Sequence, residues 1–225
     1  MALIELKDVC YSYNTEIERK NILNNISCSF ERGKFYAIIG KSGSGKSTLL
    51  SLMAGLDIPP AGQIVFEGTS TNEMDLDKYR RECAAVVYQD FGLFPLLTAL
   101  ENIMYPMELC HVDKKKAVAD AKELARLVSL PENLLDRYPG KMSGGEQQRV
   151  AVARALAMDR RLILADEPTG NLDSENSANI IDLLSQLAHH EGKCVVVVTH
   201  DVFLMQKADI VYHIVDGKLT NYIGP

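Results

Sequence analysis

The chain has 225 residues, which suits one large domain or two small ones, and its 47% of hydrophobic residues is enough for a sizeable core. Its formal net charge of −6 argues against a nucleic-acid-binding protein, because phosphate backbones are bound by dense basic surfaces. The amino terminus alternates like a strand and predicts no signal peptide, and no apolar run reaches the roughly 18 residues of a membrane helix. We therefore expect any role at a membrane to come through another chain.

The cysteine pattern favours free thiols. The five cysteines are odd in number and scattered, and none of them forms a C-x-x-C pair. This spacing favours neither a disulfide framework nor a zinc site. We expect reduced thiols in the core at Cys10, Cys28, Cys83, Cys110 and Cys194.

Strand patterns dominate the first part of the chain, with strands predicted at residues 3–9, 22–30, 35–39 and 63–66. From residue 96 to about residue 135, apolar residues recur at helical spacing and predict a small helical insertion. The basic cluster Lys114-Lys115-Lys116 falls at a helix start and is interpreted as a solvated face. Beyond it, strands predicted at 161–165, 194–199 and 210–215 alternate with helices. This alternation is typical of a parallel sheet covered by helices.

A glycine-rich segment follows the predicted strand 35–39. It reads Gly40-Lys41-Ser42-Gly43-Ser44-Gly45-Lys46-Ser47 and matches G-x-x-x-x-G-K-[ST], a loop whose backbone N–H groups wrap phosphates. In this pattern the lysine meets the β and γ oxygens and the final hydroxyl holds Mg²⁺. A helix predicted at residues 47–54, which includes Thr48, completes the strand-loop-helix context. This context favours a phosphate-binding loop over an accidental glycine-rich turn.

Two adjacent acids end the predicted strand 161–165. Asp166 and Glu167 fall at the carboxyl edge of a parallel sheet, where ligands bind in such folds. Asp166 is predicted to hold Mg²⁺, since hard cations prefer carboxylate oxygen. Glu167 is then free to polarise an attacking water as general base. The alternative is a strand that merely ends in a charged turn.

Two further segments belong to the same set of motifs. Ser143-Gly144-Gly145 opens a predicted helix at 146–157, which would give a second anion-binding helix start or, alternatively, a plain helix cap. His200 ends the apolar run 195–199, at another carboxyl strand edge. The remaining histidines have no such setting and are expected at the surface: His111, His189, His190 and His213.

Over residues 4–217 the chain resembles the ATP-binding subunit of ABC transporters, with every motif in order. Ser143 to Arg149 resembles the signature, Gln89 the Q-loop, Asn171-Leu172-Asp173 the D-loop, and His200 the switch histidine. Tyr13 falls where the family stacks an aromatic ring on adenine, although Tyr11 competes for that role and Tyr13 could be an ordinary core or surface tyrosine. The resemblance implies an α/β P-loop NTPase fold, with a RecA-like parallel sheet flanked by helices, an N-terminal antiparallel β subdomain and a helical insertion. It implies one domain over 1–225, with a helical subdomain at about 92–145.

The resemblance also implies a site for ATP and Mg²⁺ that two copies of the chain share head to tail. The implied catalytic residues are Lys46, Glu167 and His200, and the implied metal residues are Ser47, Gln89 and Asp166. The implied nucleotide-binding residues are Tyr13, Gly40, Lys41, Ser42, Gly43, Ser44, Gly45, Lys46, Ser47, Thr48, Gln89, Ser143, Gly144, Gly145 and Asp173.

A membrane permease is the second implied partner, which places the chain at the cytoplasmic face of the membrane. After Gln89 comes an apolar stretch with Phe91, Leu93, Phe94, Leu96 and Leu97. In the family this region meets the permease, and packing against the chain's own core is the alternative.

The signature of this chain departs from its commonest version, since it begins with Met142 and carries Glu146. Together with residues 166–174, it resembles the branch of lipoprotein-release, macrolide-export and antimicrobial-peptide-resistance ATPases. This resemblance predicts export or membrane extraction. The alternative is an ABC ATPase that transports nothing and acts as a membrane-associated scaffold or regulator. A translation-factor or DNA-repair ATPase is disfavoured, because members of that class usually have two such domains in one chain or a long coiled-coil insertion, and the spacing from Ser47 to Ser143 leaves no room for the latter.

Overall fold

Two β-sheets form the frame of the chain in this computed structural model, which describes residues 2–14 and 19–222, with only the backbone at 14, 19 and 20. The first sheet is antiparallel and has the order β2-β1-β4-β5. Its strands are β1 Ala2–Asn14, β2 Arg19–Glu31, β4 Ala61–Phe66 and β5 Thr69–Ser70. The ends of the predicted 1–225 domain, residue 1 and residues 223–225, lie outside the described residues.

The second sheet has the order β10-β9-β3-β8-β7-β6, and all of its strands are parallel except β10, which pairs antiparallel with β9. Its strands are β3 Lys34–Ile39, β6 Ala84–Val87, β7 Leu162–Asp166, β8 Cys194–Val198, β9 Ile210–Val215 and β10 Lys218–Asn221. The central strands read as nearly continuous apolar runs because both faces of a parallel sheet are covered.

The alternation of side chains along β3 divides the core between the two faces of the second sheet. Phe35 and Ala37 pack into a cluster with the helices that follow β6 and β7. Tyr36 and Ile38 pack into a second cluster with the antiparallel sheet and with α1, Lys46–Met53. The sheet is therefore a middle layer, and its carboxyl edge stays open for ligands.

Three helices lie between β6 and β7. These are α3 Ala99–Leu109, α4 Lys114–Leu127 and α5 Gly144–Leu156. Thr98, Asp113 and Ser143 cap their first turns through side-chain oxygens. The predicted helical insertion is thus present, whereas the boundary of a separate subdomain at about 92–145 stays a prediction.

The remaining helices are α2 Leu76–Glu82, α6 Ser174–His189 and α7 Val202–Lys207, with short 3₁₀ turns at Thr71–Glu73, Glu132–Leu134 and Pro139–Lys141. The sequence predicted neither α2 nor β10. In α2 only Tyr79 is buried, so the apolar periodicity that marks a helix is missing. No helix among the described residues is long and apolar enough to cross a membrane.

Three sequence expectations need correction. The helix predicted at 146–157 begins two residues earlier, because Ser143 and Glu146 form a capping box. All five cysteines are free, but only Cys194 is buried, and the other four are half-buried, with Cys28 and Cys83 packed against the edge of the core. His213 is half-buried in β9 rather than at the surface.

Candidate functional site

The glycine-rich loop joins the end of β3 to the start of α1. Gly45 precedes the helix with φ of 105°, and a Cβ atom there would lie 2.8 Å from the Leu23 Cδ2 atom and 3.0 Å from the Ile22 carbonyl oxygen. Only glycine fits both this backbone conformation and this space. The loop therefore approaches β2 closely at this position.

Several donors of this loop suit an anion. Gly45 provides no side-chain cap for α1, so the N–H groups of the first helical turn are free of side-chain acceptors. The Ser44 hydroxyl is buried and has no hydrogen-bond partner among the described residues. Lys46 Nζ donates to the carbonyl oxygens of Gly40 at 2.9 Å and Lys41 at 3.0 Å. A triphosphate would satisfy all of these donors.

The three predicted metal residues line one cavity of about 590 Å³ beside the loop. Ser47 contributes from α1, Asp166 from the end of β7, and Gln89 from the segment after β6. Hydroxyl, carboxylate and amide oxygens are hard donors that fit Mg²⁺. The described residues contain no cluster of three or more His, Cys, Asp or Glu side chains that could hold a metal alone. The set thus suits an ion that keeps water and phosphate ligands.

Glu167 and His200 meet beside this cavity. The Glu167 backbone has φ of 48° and its N–H donates to the Val198 carbonyl oxygen at 2.9 Å. His200 Nδ1 lies 2.7 Å from Glu167 Oε1, with 82% of the histidine side chain exposed and 9% of the glutamate side chain. Burial raises the pKa of Glu167 above its ordinary value, the charge of His200 opposes this shift, and Asp166 adds to it. A buried carboxylate with a raised pKa is suited to accept a proton.

Two polar residues near this pair escaped the sequence interpretation. Thr169 Oγ1 lies 3.3 Å from Asp201 Oδ2, and both line a second cavity of about 400 Å³ with Glu167 and His200. Asp201 could have been predicted as a site residue, because it directly follows His200 and is an aspartate at the start of a short helix, α7, which it caps.

Tyr13 lies beside the first turn of α1. Its hydroxyl is 3.5 Å from Thr48 Oγ1, and 49% of the residue is exposed. Tyr11 packs edge-on against it with 5.1 Å between ring centroids, but the Tyr11 hydroxyl donates to Asp57, and this hydrogen bond raises the pKa of Tyr11 to about 12. Tyr13 is therefore the tyrosine with a ring free to stack at the loop, and its contact with adenine stays a prediction.

The predicted signature residues lie away from the loop of their own chain. A Cβ atom on Gly145 would lie 3.2 Å from the Asn171 carbonyl oxygen, and one on Gly144 would lie 3.7 Å from the Asn171 Cβ atom. The linings of the two cavities described above include none of residues 143–145. In one described chain, the segment 143–145 therefore packs against the D-loop rather than against the phosphate-binding loop.

The other predicted nucleotide-binding residues have distinct surroundings. Lys41, Ser42 and Gly43 line a third cavity of about 500 Å³ with residues of β2 and of the turn between β9 and β10. Asp173 caps α6 by accepting from the Asn176 backbone N–H at 2.9 Å, and this hydrogen bond lowers the pKa of Asp173. Its carboxylate is already occupied, so a nucleotide contact there stays a prediction.

A comparison with protein-family models matches residues 23–170 to the family described as ABC transporter. The chain belongs to the ABC transporter family. A lipoprotein-releasing system ATP-binding protein, LolD, of Syntrophotalea carbinolica is 40% identical over 97% of this chain and 97% of its own length. A second LolD, of Chlorobium chlorochromatii, is 43% identical over 89% of this chain and 83% of its own length.

The solved structures agree. The dimeric structure of a post-hydrolysis state of the ATP-binding cassette MJ0796, bound to ADP and Pi, superposes with a TM-score of 0.93 at 37% identity. The match covers 99% of this chain and 100% of that one. The predicted P-loop NTPase fold is confirmed, and the chain is an ABC transporter ATP-binding subunit with ATPase activity.

Proposed function

We propose that two copies of this ABC subunit close head to tail on two ATP molecules with Mg²⁺ and so drive a separate membrane permease. The observation that carries this proposal is the separation of the two anion sites within one chain. Residues 143–145 pack against Asn171, whereas Lys46 and Ser47 lie at the other site. A second copy would bring its own residues 143–145 to the open side of the phosphate-binding loop. The relative MJ0796 is itself dimeric and bound to ADP and Pi.

The phosphate-binding loop provides most of the ground-state binding. Lys46 leaves the carbonyl oxygens of Gly40 and Lys41 and pairs with phosphate oxygens, while the free N–H groups of α1 bind the same anion. Ser47, Gln89 and Asp166 would hold Mg²⁺, which neutralises charge on the β and γ phosphates when bound. Glycine at position 45 keeps the backbone close to the anion.

Glu167 acts as general base on the attacking water. Burial raises its pKa towards the working pH, which brings the proton affinity of the carboxylate closer to what a base needs. In its protonated form His200 would donate from Nδ1 to Glu167 Oε1 and from Nε2 to an oxygen of the γ-phosphate, because both ring nitrogens of an imidazolium are donors. Gln89 lines the neighbouring cavity of about 590 Å³ with Ser47 and Asp166, from the segment after β6. Loss of the γ-phosphate on hydrolysis would remove the charge that both copies bind, and the dimer would reopen.

The permease would dock on a groove between the second sheet and the helices α3 and α5. Leu56, Tyr88, Phe94, Tyr105 and Arg154 are among the residues that line about 290 Å³ there. Leu93 packs against the core, whereas Phe94 and Leu96 are 40% and 86% exposed. The apolar stretch after Gln89 is thus only partly used by the chain's own core, and its exposed part is available to a partner.

Asn102 gives this exposed loop a fixed shape. It is fully buried, its Oδ1 accepts from the Phe94 N–H at 2.9 Å, and its Nδ2 donates to the carbonyl oxygens of Phe94, Leu97 and Thr98 at 3.0–3.1 Å. A preorganised apolar loop lowers the cost of binding a partner. A permease at this groove would hold the chain at the cytoplasmic face of a membrane. The LolD relatives support lipoprotein release or a similar membrane extraction as the work done.

Mixing two inactive variants tests the shared site. Lys46→Ala disables the loop, and Ser143→Arg disables the signature. In a head-to-tail dimer of one copy of each, both defects fall in one site and the other site is intact. We expect each variant alone to release no phosphate and an equimolar mixture to recover up to about a quarter of the parent rate, since half of the dimers keep one of two sites.

Lys46→Ala mixed with Glu167→Gln is the matched control. Lys46 and Glu167 belong to the same half of each site, the half opposite residues 143–145 of the other copy. Every mixed dimer therefore has one defect in each of its two sites, and no recovery is expected. Equal recovery in both mixtures, or recovery in neither, would contradict the shared site.

A further inference from the structure

Arg154 connects the helix that carries the signature to the segment that carries Gln89. It lies near the end of α5, where Nη1 donates to the Gly92 carbonyl oxygen at 2.7 Å and Nη2 donates to the Phe91 carbonyl oxygen at 2.9 Å. The guanidinium carbon also lies 5.7 Å from the centroid of the Phe94 ring. The Arg154 side chain thus contacts Phe91, Gly92 and Phe94, which follow Gln89 along the chain.

The residues that Arg154 holds have an unusual backbone. Phe91 and Gly92 both have positive φ, 62° and 54°, and such a conformation is costly for phenylalanine. Two backbone hydrogen bonds within the turn complete it. The Phe91 N–H donates to the Tyr88 carbonyl oxygen, and the Gly92 N–H donates to the Asp90 carbonyl oxygen. A strained turn persists when its surroundings fix it, and the charge-assisted bonds from Arg154 provide that constraint. Gln89 lies inside this turn.

The beginning of the same helix also contacts the turn. A Cβ atom on Gly144 would lie 3.8 Å from the Phe91 Cζ atom, while Arg154 lies ten residues further along α5, about 15 Å at the usual helical rise. Long side chains on a helix lean towards its amino terminus, so Arg154 can reach back to Phe91, the residue that also lies beside Gly144. Phe91 is therefore held to α5 through its carbonyl oxygen, and its ring lies beside the start of that helix.

We propose that Arg154 is a positioning residue that makes the Gln89 turn and residues 143–145 at the start of α5 move as one body. The inference rests on the proposed function, in which Gln89 senses nucleotide in one copy and residues 143–145 bind nucleotide of the other. Without Arg154, a nucleotide at Gln89 would reposition a loose turn and leave the start of α5 in place. Binding by the loop of one copy would continue, and closure of the pair would fail.

Arg154→Lys is the variant that tests the inference, with Arg160→Lys as its matched control. A lysine carries one nitrogen and cannot donate to both carbonyl oxygens in the geometry of a guanidinium. Arg160 is also half-buried beyond the end of α5 and donates to two carbonyl oxygens, but these belong to Arg81 and Ala155 and not to the Gln89 turn. Burial lowers the pKa of both arginines, so both substitutions are made at a partly desolvated guanidinium group.

The readouts are the turnover number with ATP, the affinity of the purified chain for ADP, and hydrogen exchange of the backbone N–H groups at 88–92. For Arg154→Lys we expect turnover to fall by about 10- to 100-fold, since small misplacement of a site has effects of this size, with ADP affinity within about twofold of the parent. Exchange at 88–92 should accelerate. Arg160→Lys should stay within about twofold of the parent in all three.

Equal turnover of Arg154→Lys and the parent, or an equal loss in both variants, would overturn the inference. So would unchanged exchange at 88–92 in Arg154→Lys. If the parent released no phosphate, the proposed function would fail, and the exchange measurement would still decide whether Arg154 holds the turn.

Discussion

The Nδ1 atom of His200 lies 2.7 Å from the Oε1 atom of Glu167, just beyond the carboxyl ends of the paired strands β8 and β7. An exposed imidazole is thus bonded to a buried carboxylate, and the two side chains form one polar unit. A γ-phosphate that recruits the histidine would act on the base through this bond. The first two predictions address the carboxylate of this pair.

Replacing Glu167 with Gln should abolish turnover and retain ATP binding. The amide keeps the size of the side chain and cannot accept the proton of water, so we expect phosphate release to fall by about 10²- to 10⁴-fold. With ATP bound and not hydrolysed, the variant should accumulate as a dimer in size-exclusion chromatography with light scattering. Glu73→Gln, an exposed substitution in a 3₁₀ turn, is the control and should behave as the parent. Parent-like phosphate release from Glu167→Gln would refute the assignment of the base.

The same variant should change how stability depends on pH. The pKa of Glu167 is raised above its ordinary value of 4.5, mainly by burial, so the folded chain binds this proton more tightly than the unfolded chain. Stability from this group is therefore present below pH 4.5 and is lost as pH rises through the folded-state pKa. Glutamine has no charge to bury, so the Tm of Glu167→Gln should exceed that of the parent near pH 7.

Thermal unfolding between pH 4 and pH 7.5, without nucleotide, measures this difference. The gap in Tm between Glu167→Gln and the parent should widen as pH increases. The gap for Glu73→Gln should stay near zero throughout. A gap for Glu167→Gln that is constant with pH would mean that the raised pKa has no effect on stability.

Two glycines of the phosphate-binding loop provide a matched pair. Both Gly45 and Gly43 have positive φ, but an added Cβ meets Leu23 at 2.8 Å at position 45 and nothing within 4 Å at position 43. Gly43→Ala should cost only the backbone penalty of about 1–2 kcal/mol. Gly45→Ala adds a clash with β2, so its Tm should fall further and its ATP affinity should be lost. Equal effects in both variants would show that space at position 45 is unimportant.

Leu96→Asp should separate the chain from the proposed membrane permease. Leu96 is 86% exposed on the loop that Asn102 fixes, so a charge there costs little stability and disrupts an apolar contact. Leu127→Asp, at a 52% exposed position near the end of α4, is the control. Affinity purification from detergent-solubilised membranes, followed by mass spectrometry, should recover a multispanning protein with the parent and with Leu127→Asp only. Its recovery with Leu96→Asp would exclude this loop as the contact.

Much of the site could be predicted from the sequence because its parts are local. The loop after β3 and the acids after β7 each follow a buried strand directly, and such strands can be predicted from short apolar runs bounded by turn residues. Parallel pairing then brings these strand ends to one edge of the sheet, whereas the proximity of Ser47, Asp166 and Glu167 also depends on the strand order β3-β8-β7, which only the structure gives. The ABC resemblance added roles to these positions.

Elements with weak patterns were missed. The polar helix α2 buries only Tyr79, and β10 is a four-residue edge strand that owes its place to pairing with β9. In both, tertiary contacts decide the structure and local preference does not. Helix α5 was predicted to start two residues late because Gly144 and Gly145 are poor helix formers, although Ser143 and Glu146 carry the capping-box pattern that marks the true start.

By itself, the sequence determined the fold class, the order of the motifs and the chemistry at each strand end, since these depend on neighbouring residues. Only the tertiary structure decided that Arg154 holds the carbonyl oxygens of Phe91 and Gly92, and that Gly145 lies against Asn171 in its own chain. Those contacts join residues that are far apart along the chain, and each depends on the direction in which a side chain or carbonyl group points. Such directions are set by packing of the whole molecule, and no local pattern encodes them.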